Sequence, residues 1–338
     1  MQLARELGLP LSHTPAQEVV NLCVGKIANW LEDSPDVQTI AALEALVCEK
    51  LQLVFEEFWS DEELEAIIQK YTALGEYVFA TLRDDFDEST FATLIERRKV
   101  ASDARDRYVA VIDCRGSKAA RRFFTRWHEI AHLLTTPPQS KVLFHRSTTE
   151  RCPIEDLMDE IAGVIGFYDP IFQPALLQHD EFSFMAVETI RNQFCPDASF
   201  QATLIACVTR VQQPALYIEV GMGYKKSEEE QLNSKQMALF PVESPQAKLR
   251  VLVVAPNEAA KKNGIRVDRN MQVPAESVLS SLFFTTPIGR LSLDAKAQEN
   301  LGIWRHSNGT SLANIDVNVE ARRLGDRVMG LILPQLCI

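Results

Sequence analysis

Residues 116–138, GSKAARRFFTRWHEIAHLLTTPP, decide the fold predicted for this chain. They contain His128-Glu129-Ile130-Ala131-His132, an H-E-x-x-H pattern. Residues four apart lie on one face of a helix, so His128 and His132 point at one spot, and two neutral imidazoles suit Zn²⁺. Glu129 projects onto the neighbouring stripe, where its carboxylate can act as the general base toward water at the metal.

The residues around this pattern favour a buried helix over a solvated helix that carries two histidines by chance. Ser117 is positioned to cap the helix, and Pro137-Pro138 end it just beyond His132. A solvated helix rarely carries two Phe and a Trp. The flanking apolar side chains are Phe123, Phe124, Trp127, Ile130, Ala131 and Leu134. We therefore predict one Zn²⁺ per chain on this helix.

A second predicted helix, CPIEDLMDEIAGVIGFYDP at residues 152–170, offers a third metal ligand. Glu155 and Asp159 are four apart on one stripe, so Glu155 could bind zinc while Asp159 orients a ligand histidine. Small residues would let this helix approach another closely, and Pro153 suits its first turn. Asp159 and Glu160 remain alternative ligands, and Asp156 and Glu160 form a stripe that could simply face solvent. The small residues are Ala162, Gly163 and Gly166.

These segments resemble the ImmA/IrrE family of zinc metallopeptidases. RRFFTRWHEIAHLL is similar to the family's R-x-x-F-T-x-x-H-E-x-x-H segment, and EDLMDEIAGVIGFYDP to its E-x-x-A-[ND]-x-F-A-A-x-L-L-x-P helix. The resemblance spans roughly residues 90–175 and aligns Glu155 with the family's ligand glutamate and Asp159 with its Asn/Asp. The chain departs from the pattern at Met158, Ile161 and the late Pro170.

The resemblance implies an α+β chain of three parts. These are a zincin-like metallopeptidase domain over residues 1–178 with a helical N-terminal part at 1–85, a helical linker similar to a helix-turn-helix at 179–212, and a GAF/PAS-like sensor domain at 213–338. The implied substrate is a helix-turn-helix repressor of the XRE type that controls DNA-damage or phage-defence genes, such as those accompanying CBASS operons. The alternative is a non-catalytic regulator or antitoxin-like partner, and the intact Glu129 disfavours the former.

Apolar periodicity predicts the remaining elements. Helices are expected over residues 15–31 and 37–58, and a capping box, Ser60-Asp61-Glu62-Glu63, opens a third. Residues 91–96 and 108–113 predict strands that could form an edge beside the metal helix and hold an extended substrate. Two helices are expected around the turn CPDAS. Further strands are predicted at 215–220, 249–255 and 328–333, with helices over AESVLSSLFF and SLDAKAQENLG and a turn at PNEAAKKNG.

Three further residues are weaker site candidates. Cys114 directly follows the second strand and could block the open zinc position as a thiolate, the alternative being a buried thiol. His145, in a predicted loop, and Tyr168 could stabilise an oxyanion, although structural roles are the simpler interpretation. The seven cysteines are odd in number and scattered, which favours reduced thiols.

Composition and charge limit the kinds of partner that the chain is expected to have. No apolar run reaches about 18 residues and the first residues lack a signal-peptide core, so we expect a cytoplasmic protein with no membrane partner. The net charge is −14 through residue 200 and +3 after it, which favours an anionic effector at the C-terminal domain. Because the resembling proteins respond to DNA damage, the resemblance implies single-stranded DNA as the first expectation, and a nucleotide or other small molecule is the second. Candidate contacts are Lys225, Lys226, Lys248, Arg250, Lys261, Lys262, Arg266 and Arg269.

Overall fold

The chain is mixed α+β, as predicted, and divides into two compact units. The N-terminal unit comprises Met1–Gln178 and Thr189–Thr203, and the C-terminal unit comprises His179–Glu188 and Leu204–Ile338. The predicted linker at 179–212 is therefore shared between the two units. The computed structural model describes residues 2–9, 13–98, 105–136, 143–147, 152–179, 181–225, 228, 245–285, 294–306 and 308–335. Pro137-Pro138 and Lys226 lie outside these residues.

The N-terminal unit packs helices around a sheet. Its helices are α1 (Gln2–Glu6), α2 (Pro15–Glu32), α3 (Ile40–Leu51), α4 (Asp61–Ala73), α5 (Leu82–Asp85), α6 (Arg122–Thr135), α7 (Pro153–Ile165) and α8 (Asp169–Leu177), with short 3₁₀ helices at Tyr77–Thr81 and Gly116–Arg121. Its strands are β1 (Leu53–Phe58), β2 (Thr90–Glu96), β3 (Tyr108–Asp113) and β4 (Leu143–Ser147). Two further helices, α9 (Phe184–Phe194) and α10 (Phe200–Arg210), contain residues of both units. Among the described residues, no helix is long and apolar enough to span a bilayer.

The sheet of this unit has the order β1-β3-β2-β4, and two predictions about it are wrong. The predicted helix over residues 37–58 ends early, because Gln52 adopts a left-handed φ of 55° and the next residues form β1. β1 runs parallel to β3, while β2 runs antiparallel to both β3 and β4. The strands at 91–96 and 108–113 are confirmed, but both are central, so β4 and β1 are the edges of the described sheet.

Helices cover both faces of the sheet. On one face, a cluster includes Leu64, Ile67, Ile68 and Tyr71 of α4 with Val109 and Val111 of β3. On the other face, Ile112 packs with Ala92 and Phe55, and the Arg126 guanidinium of α6 lies over the Phe55 ring. Strands buried on both faces are rich in apolar residues without strict alternation, as β2 and β3 are. The layered arrangement holds α6 against a rigid support.

The predicted capping of α4 is confirmed. The Ser60 hydroxyl accepts a hydrogen bond from the Glu63 backbone N–H at 3.3 Å. The Glu63 carboxylate in turn accepts one from the backbone N–H of Trp59 at 2.6 Å, one residue before the position that the capping box predicts. This reciprocal pair fixes the turn between β1 and α4.

The C-terminal unit contains a five-stranded antiparallel sheet with the order β6-β5-β9-β8-β7. Its elements are β5 (Leu216–Gly223), β6 (Lys248–Pro256), α11 (Glu258–Lys262), α12 (Val278–Thr285), β7 (Asp294–Asn300), β8 (Asp316–Leu324) and β9 (Arg327–Pro334). The predicted strands at 215–220, 249–255 and 328–333 and the helix in AESVLSSLFF are confirmed. Helix α12 packs closely on the sheet, since a Cβ at Gly330 would lie 2.9 Å from the Leu279 side chain.

Two predictions in this unit are wrong. SLDAKAQENLG forms β7 rather than a helix, because Ala295 and Ala297 alternate with exposed polar residues and pair with Ala321 and Val319 of β8. The turn predicted at PNEAAKKNG contains α11. Its first turn is capped by Asn257, whose side chain accepts a hydrogen bond from the Ala260 backbone N–H at 2.7 Å.

A cluster of five charged side chains holds the N-terminal half of α6. Arg126 Nη1 lies 3.1 Å from Glu57 Oε1 and its Nη2 lies 2.7 Å from Asp197 Oδ2, while Arg122 Nη2 lies 2.6 Å from Asp197 Oδ1. Arg126 Nε also lies 3.2 Å from Glu44 Oε1 of α3. Two cations face three carboxyl groups, so one carboxyl group can retain a proton. Burial raises the pKa of Glu44 to about 7, with Arg126 opposing this rise and Asp197 and Glu57 adding to it.

Replacing Glu44 with Gln should change how stability depends on pH. A carboxyl group whose folded pKa is raised contributes stability that is fully present below its unfolded pKa of about 4.5 and is lost as pH rises through about 7. Relative to the parent, Glu44→Gln should therefore gain roughly 1–3 kcal/mol of unfolding free energy between about pH 5 and about pH 8. Urea unfolding at both pH values measures this difference.

Glu49→Gln is the matched control, since Glu49 lies exposed on the same helix. It should leave the pH dependence unchanged. A Glu44→Gln variant whose stability tracks the parent at both pH values would show that Glu44 is ionised throughout.

Candidate metal centre

A buried carboxylate anchors the segment that leads into α6. Asp113, at the end of β3, accepts hydrogen bonds from Arg115 Nη2 and Lys118 Nζ, each at 2.7 Å. Burial alone would raise the pKa of Asp113, but these hydrogen bonds outweigh it and lower the pKa. Lys118 also donates to the carbonyls of Asp87 and Thr90. The sequence analysis did not single out Asp113, although an acid that directly ends an apolar strand was a visible signal.

The prediction that Ser117 caps the metal helix is wrong. Residues Gly116–Arg121 form a 3₁₀ helix, and α6 begins at Arg122 without a side-chain cap. The cause is the anchor described above, because Arg115 and Lys118 both bind Asp113 and hold this segment in a tighter turn. The rest of the helix follows the prediction and ends at Thr135.

Helix α6 buries both histidines and the glutamate between them. His128 and Glu129 are each 1 % exposed, and His132 is 3 % exposed. Among the apolar residues around them, Trp127 and Ile130 are fully buried and Phe124 is half-buried. This excludes the solvated-helix alternative, because a solvated helix would leave at least one of these polar side chains in water.

Three potential metal ligands converge at this helix. His128 Nε2 lies 3.1 Å from His132 Nε2 and 2.9 Å from Glu155 Oε2, and His132 Nε2 lies 3.5 Å from Glu155 Oε1. Among the described residues, His128, His132 and Glu155 form the one group of three such side chains that could hold a metal ion. Glu155 comes from the first turn of α7, as predicted.

The separations fit the dimensions of a tetrahedral metal centre. Ligand atoms about 2.0–2.1 Å from a central ion lie about 3.3 Å apart at tetrahedral angles. The three observed separations, 2.9, 3.1 and 3.5 Å, bracket that value. Two imidazoles and a carboxylate also supply the donor types that such an ion takes. The residues present therefore fit a metal ion bound by three protein ligands.

Two carboxylates of α7 lie next to the two ring nitrogens of His128. Asp159 Oδ1 lies 2.7 Å from His128 Nδ1, while Glu155 faces Nε2. An Nδ1–H donated to Asp159 leaves the Nε2 lone pair directed at Glu155 and His132, which is the tautomer that metal binding requires. The i, i+4 spacing of Glu155 and Asp159 places both carboxylates on one stripe, as the sequence predicted.

The competing acids of α7 point elsewhere. Asp156 and Glu160 are exposed, and neither belongs to the group of three ligands. Burial would raise the pKa of Glu155, but its contacts with the His128 and His132 rings outweigh burial and lower the pKa well below its usual range. Glu155 is thus ionised at neutral pH, as a metal ligand must be.

Close packing fixes α7 against α6. A Cβ at Gly166 would lie 2.7 Å from the Ala162 carbonyl oxygen and 3.0 Å from the Trp127 ring, so only glycine fits there. By contrast, Gly163 has open space around it. At the other end, the Thr135 hydroxyl lies 3.4 Å from the Met158 sulfur. Met158, which departs from the family pattern, is fully buried in this interface.

The structure does not bring Cys114 or Tyr168 into the ligand group. Cys114 is buried beside Ala92 and Ile112, and burial, then the charge of Glu57, raises the pKa of its thiol to about 11. This placement favours the buried-thiol alternative over a zinc-blocking thiolate. Tyr168 is buried at the start of α8, and burial, followed by the nearby Asp169, raises the pKa of its phenol.

His145 lies in β4 rather than in the predicted loop, and its backbone is opposite Thr93 of β2. Its side chain is outside the described part of the chain. The oxyanion role of His145 therefore stays a prediction.

No family model matches this chain, and no curated protein matches it. The resemblance to ImmA/IrrE metallopeptidases rests on the motifs around His128 and Glu155 and stays a prediction. The geometry of the candidate metal centre stands independently of it.

The purified chain should contain about one equivalent of Zn²⁺. Glu155→Ala should lose most of this metal, because the two remaining imidazoles form an incomplete ligand set. Glu160→Ala, on the exposed side of the same helix, is the matched control and should keep it. Elemental analysis of protein that has not met a chelator measures the content. Metal loss from Glu160→Ala but not from Glu155→Ala would reassign the third ligand.

Asp159→Asn should weaken metal binding by roughly 10–100-fold, because the carboxylate that accepts the His128 Nδ1–H is lost while the ligands remain. Asp156→Asn makes the same chemical change at an exposed position of α7 and should have no effect. Competition titration against a chromogenic chelator gives the dissociation constants. Equal affinities for the two variants would mean that Asp159 does not position His128.

Proposed function

We propose that this chain is a zinc-dependent endopeptidase. The observation that carries the proposal is the convergence of His128, His132 and Glu155 on one point. Glu129 follows His128 directly in the sequence, and Asp159 contacts the Nδ1 atom of His128. Three protein ligands leave a fourth position open, which is typical of catalytic rather than structural zinc. The burial of Glu129 in the same helix supports a functional role for this carboxylate.

Bound at this site, Zn²⁺ supplies a Lewis acid and lowers the pKa of water. Glu129 accepts a proton from the water that attacks the peptide carbonyl carbon. When the C–N bond breaks, Glu129 delivers that proton to the leaving amine nitrogen. Asp159 keeps the His128 ring in place throughout by accepting its Nδ1–H.

The edge strand β4 is the proposed binding surface for an extended peptide. β4 pairs with β2 on one side, and no described strand pairs with its other side. A peptide could add to this edge by backbone hydrogen bonds, with side-chain pockets giving selectivity. This corrects the expectation that the strand at 108–113 would play the role, since that strand is central.

The proposed substrate is a helix-turn-helix repressor of the XRE type, and the proposed setting is the cytoplasm. Both come from the resemblance to ImmA/IrrE proteins alone. The C-terminal unit, with its antiparallel sheet covered by α12, is compatible with the GAF/PAS-like sensor that the resemblance implies. In this proposal, a ligand of the C-terminal unit controls cleavage.

Glu129→Gln should retain zinc and fold but lower cleavage by at least about 100-fold, because it removes the general base and no ligand. The substrate is a peptide mixture from a digested bacterial proteome, and mass spectrometry identifies new internal cuts. Internal rather than terminal cuts would establish an endopeptidase. Zinc content and melting temperature are measured on the same preparations.

The Glu160→Gln variant is the matched control, because Glu160 is exposed on α7. It should cleave as the parent does. Identical products from parent and Glu129→Gln would assign the activity to a contaminant and favour the non-catalytic alternative.

A further inference from the structure

The C-terminal unit contains a cavity of about 670 Å³ lined by cationic side chains. The cavity lies beside β6 and is bounded by residues 270–276 and by Gly302, Ile303, Arg305, His306 and Gly309. Small-molecule sites typically have volumes of about 300–1,000 Å³. Its walls include Arg250, Lys225 and Arg305, together with apolar Met271 and Ile303.

Arg250 is the buried member of this set. Its side chain is 2 % exposed. Nη1 donates to the Asn270 carbonyl oxygen at 3.2 Å, and Nη2 lies 3.5 Å from Glu228 Oε2, at the limit of a hydrogen bond. Nε is buried and has no hydrogen-bond partner among the described residues. Buried guanidinium groups ordinarily have their donors satisfied, so this pattern is unusual.

The incompletely used donors lie on one edge of the guanidinium. Nε–H and the adjacent Nη2–H point in the same direction and form the fork that binds two oxygens of a phosphate or carboxylate. The opposite donor, Nη1, is already used by the backbone at Asn270. On the edge that recognises an oxyanion, Nε thus has no partner among the described residues and Nη2 has only the long contact with Glu228, in a cavity where exposed Lys225 and Arg305 add positive charge.

Two carboxylates limit how much negative charge the cavity accepts. Glu228 accepts the Lys225 backbone N–H at 2.6 Å and lies near Arg250, and Glu276 also lines the cavity. Three cations against two carboxylates suit one phosphate group rather than a chain of phosphates. The apolar side chains in the wall suit an organic body attached to that group.

We propose that this cavity binds a mononucleotide, with its phosphate on the Nε–Nη2 edge of Arg250. This inference rests on the proposed function, in which a ligand of the C-terminal unit controls cleavage, and identifies that ligand. Binding of the ligand can be measured without peptidase activity. It places the nucleotide ahead of single-stranded DNA, which the resemblance to ImmA/IrrE proteins had put first.

The test is isothermal titration of the full chain with the four ribonucleoside 5′-monophosphates, each compared with its uncharged nucleoside. At least one monophosphate should bind about tenfold or more tightly than its nucleoside, because the Arg250 fork contacts only the phosphate. If none of the four binds, or if nucleosides bind equally well, the proposal fails. A zinc-free or inactive chain can give either result, so failure of the peptidase proposal is seen separately.

Variants at Arg250 and Glu228 should act in opposite directions. Arg250→Lys keeps the charge but removes the fork and should weaken monophosphate binding by about tenfold. Glu228→Gln removes the competing carboxylate and should tighten binding a few-fold, roughly. Arg269→Lys is the matched control, since Arg269 is exposed and lines a different cavity. Weaker binding by Glu228→Gln would overturn the proposed phosphate position.

Two further measurements address a variant that does not fold and a ligand that is an oligonucleotide. If Arg250→Lys does not fold, the exposed Lys225→Met variant should still weaken monophosphate binding. A short thymidine oligonucleotide is titrated in parallel. Oligonucleotide binding that depends on Arg250 in a chain that ignores mononucleotides would replace this proposal with the single-stranded DNA expectation.

Discussion

The hold of two α7 carboxylates on the ring of His128 is the interaction on which the N-terminal unit depends. His128, Glu129 and His132 are almost completely buried in one helix. Polar groups removed from water cost free energy unless they find partners, and buried charges cost more. Asp159 provides such a partner by accepting the Nδ1–H of His128, while the Nε2 lone pair faces Glu155 and His132, where a metal ion would bind. The close contact between α6 and α7 is therefore a condition for burying the site.

The rest of the unit fixes α6 so that this contact can form. Arg122 and Arg126 lie in the N-terminal half of α6, where the helix dipole disfavours cations. Their pairing with Glu57 and Asp197 offsets that cost and ties the helix to β1 and to the turn between α9 and α10. At the other end, Lys26 of α2 donates to the Leu134 carbonyl at 2.7 Å, where the dipole favours a cation. The histidines lie between these two anchored ends.

The sequence predicted which side chains share a face of α6 and of α7, because the spacing that determines this is local. Spacings of four residues place His128 over His132 and Glu155 next to Asp159 whatever the tertiary partners are. Residues 53–58 and 294–300 were predicted as helix and form strands, because their partners are distant: β1 pairs with residues beginning at Tyr108, and β7 with residues beginning at Asp316. Ala, Lys, Gln and Glu favour helices in isolation, and pairing with β8 overrides that preference in β7. Arg250 was one of eight candidate contacts, but the sequence did not show its burial or its neighbours at residues 270–276, which come from another loop.

The two units compensate buried charge differently. In the N-terminal unit, carboxylates lie in direct contact with the buried histidines. In the C-terminal unit, Arg250 keeps a buried donor without a described partner, so an anion bound there would stabilise the folded unit by an amount that grows with the logarithm of anion concentration above its dissociation constant. Helices α9 and α10 contain residues of both units, and the turn between them carries Asp197, which Arg122 and Arg126 hold. Asp197 therefore belongs to the ion pairs that hold the helix carrying the potential metal ligands.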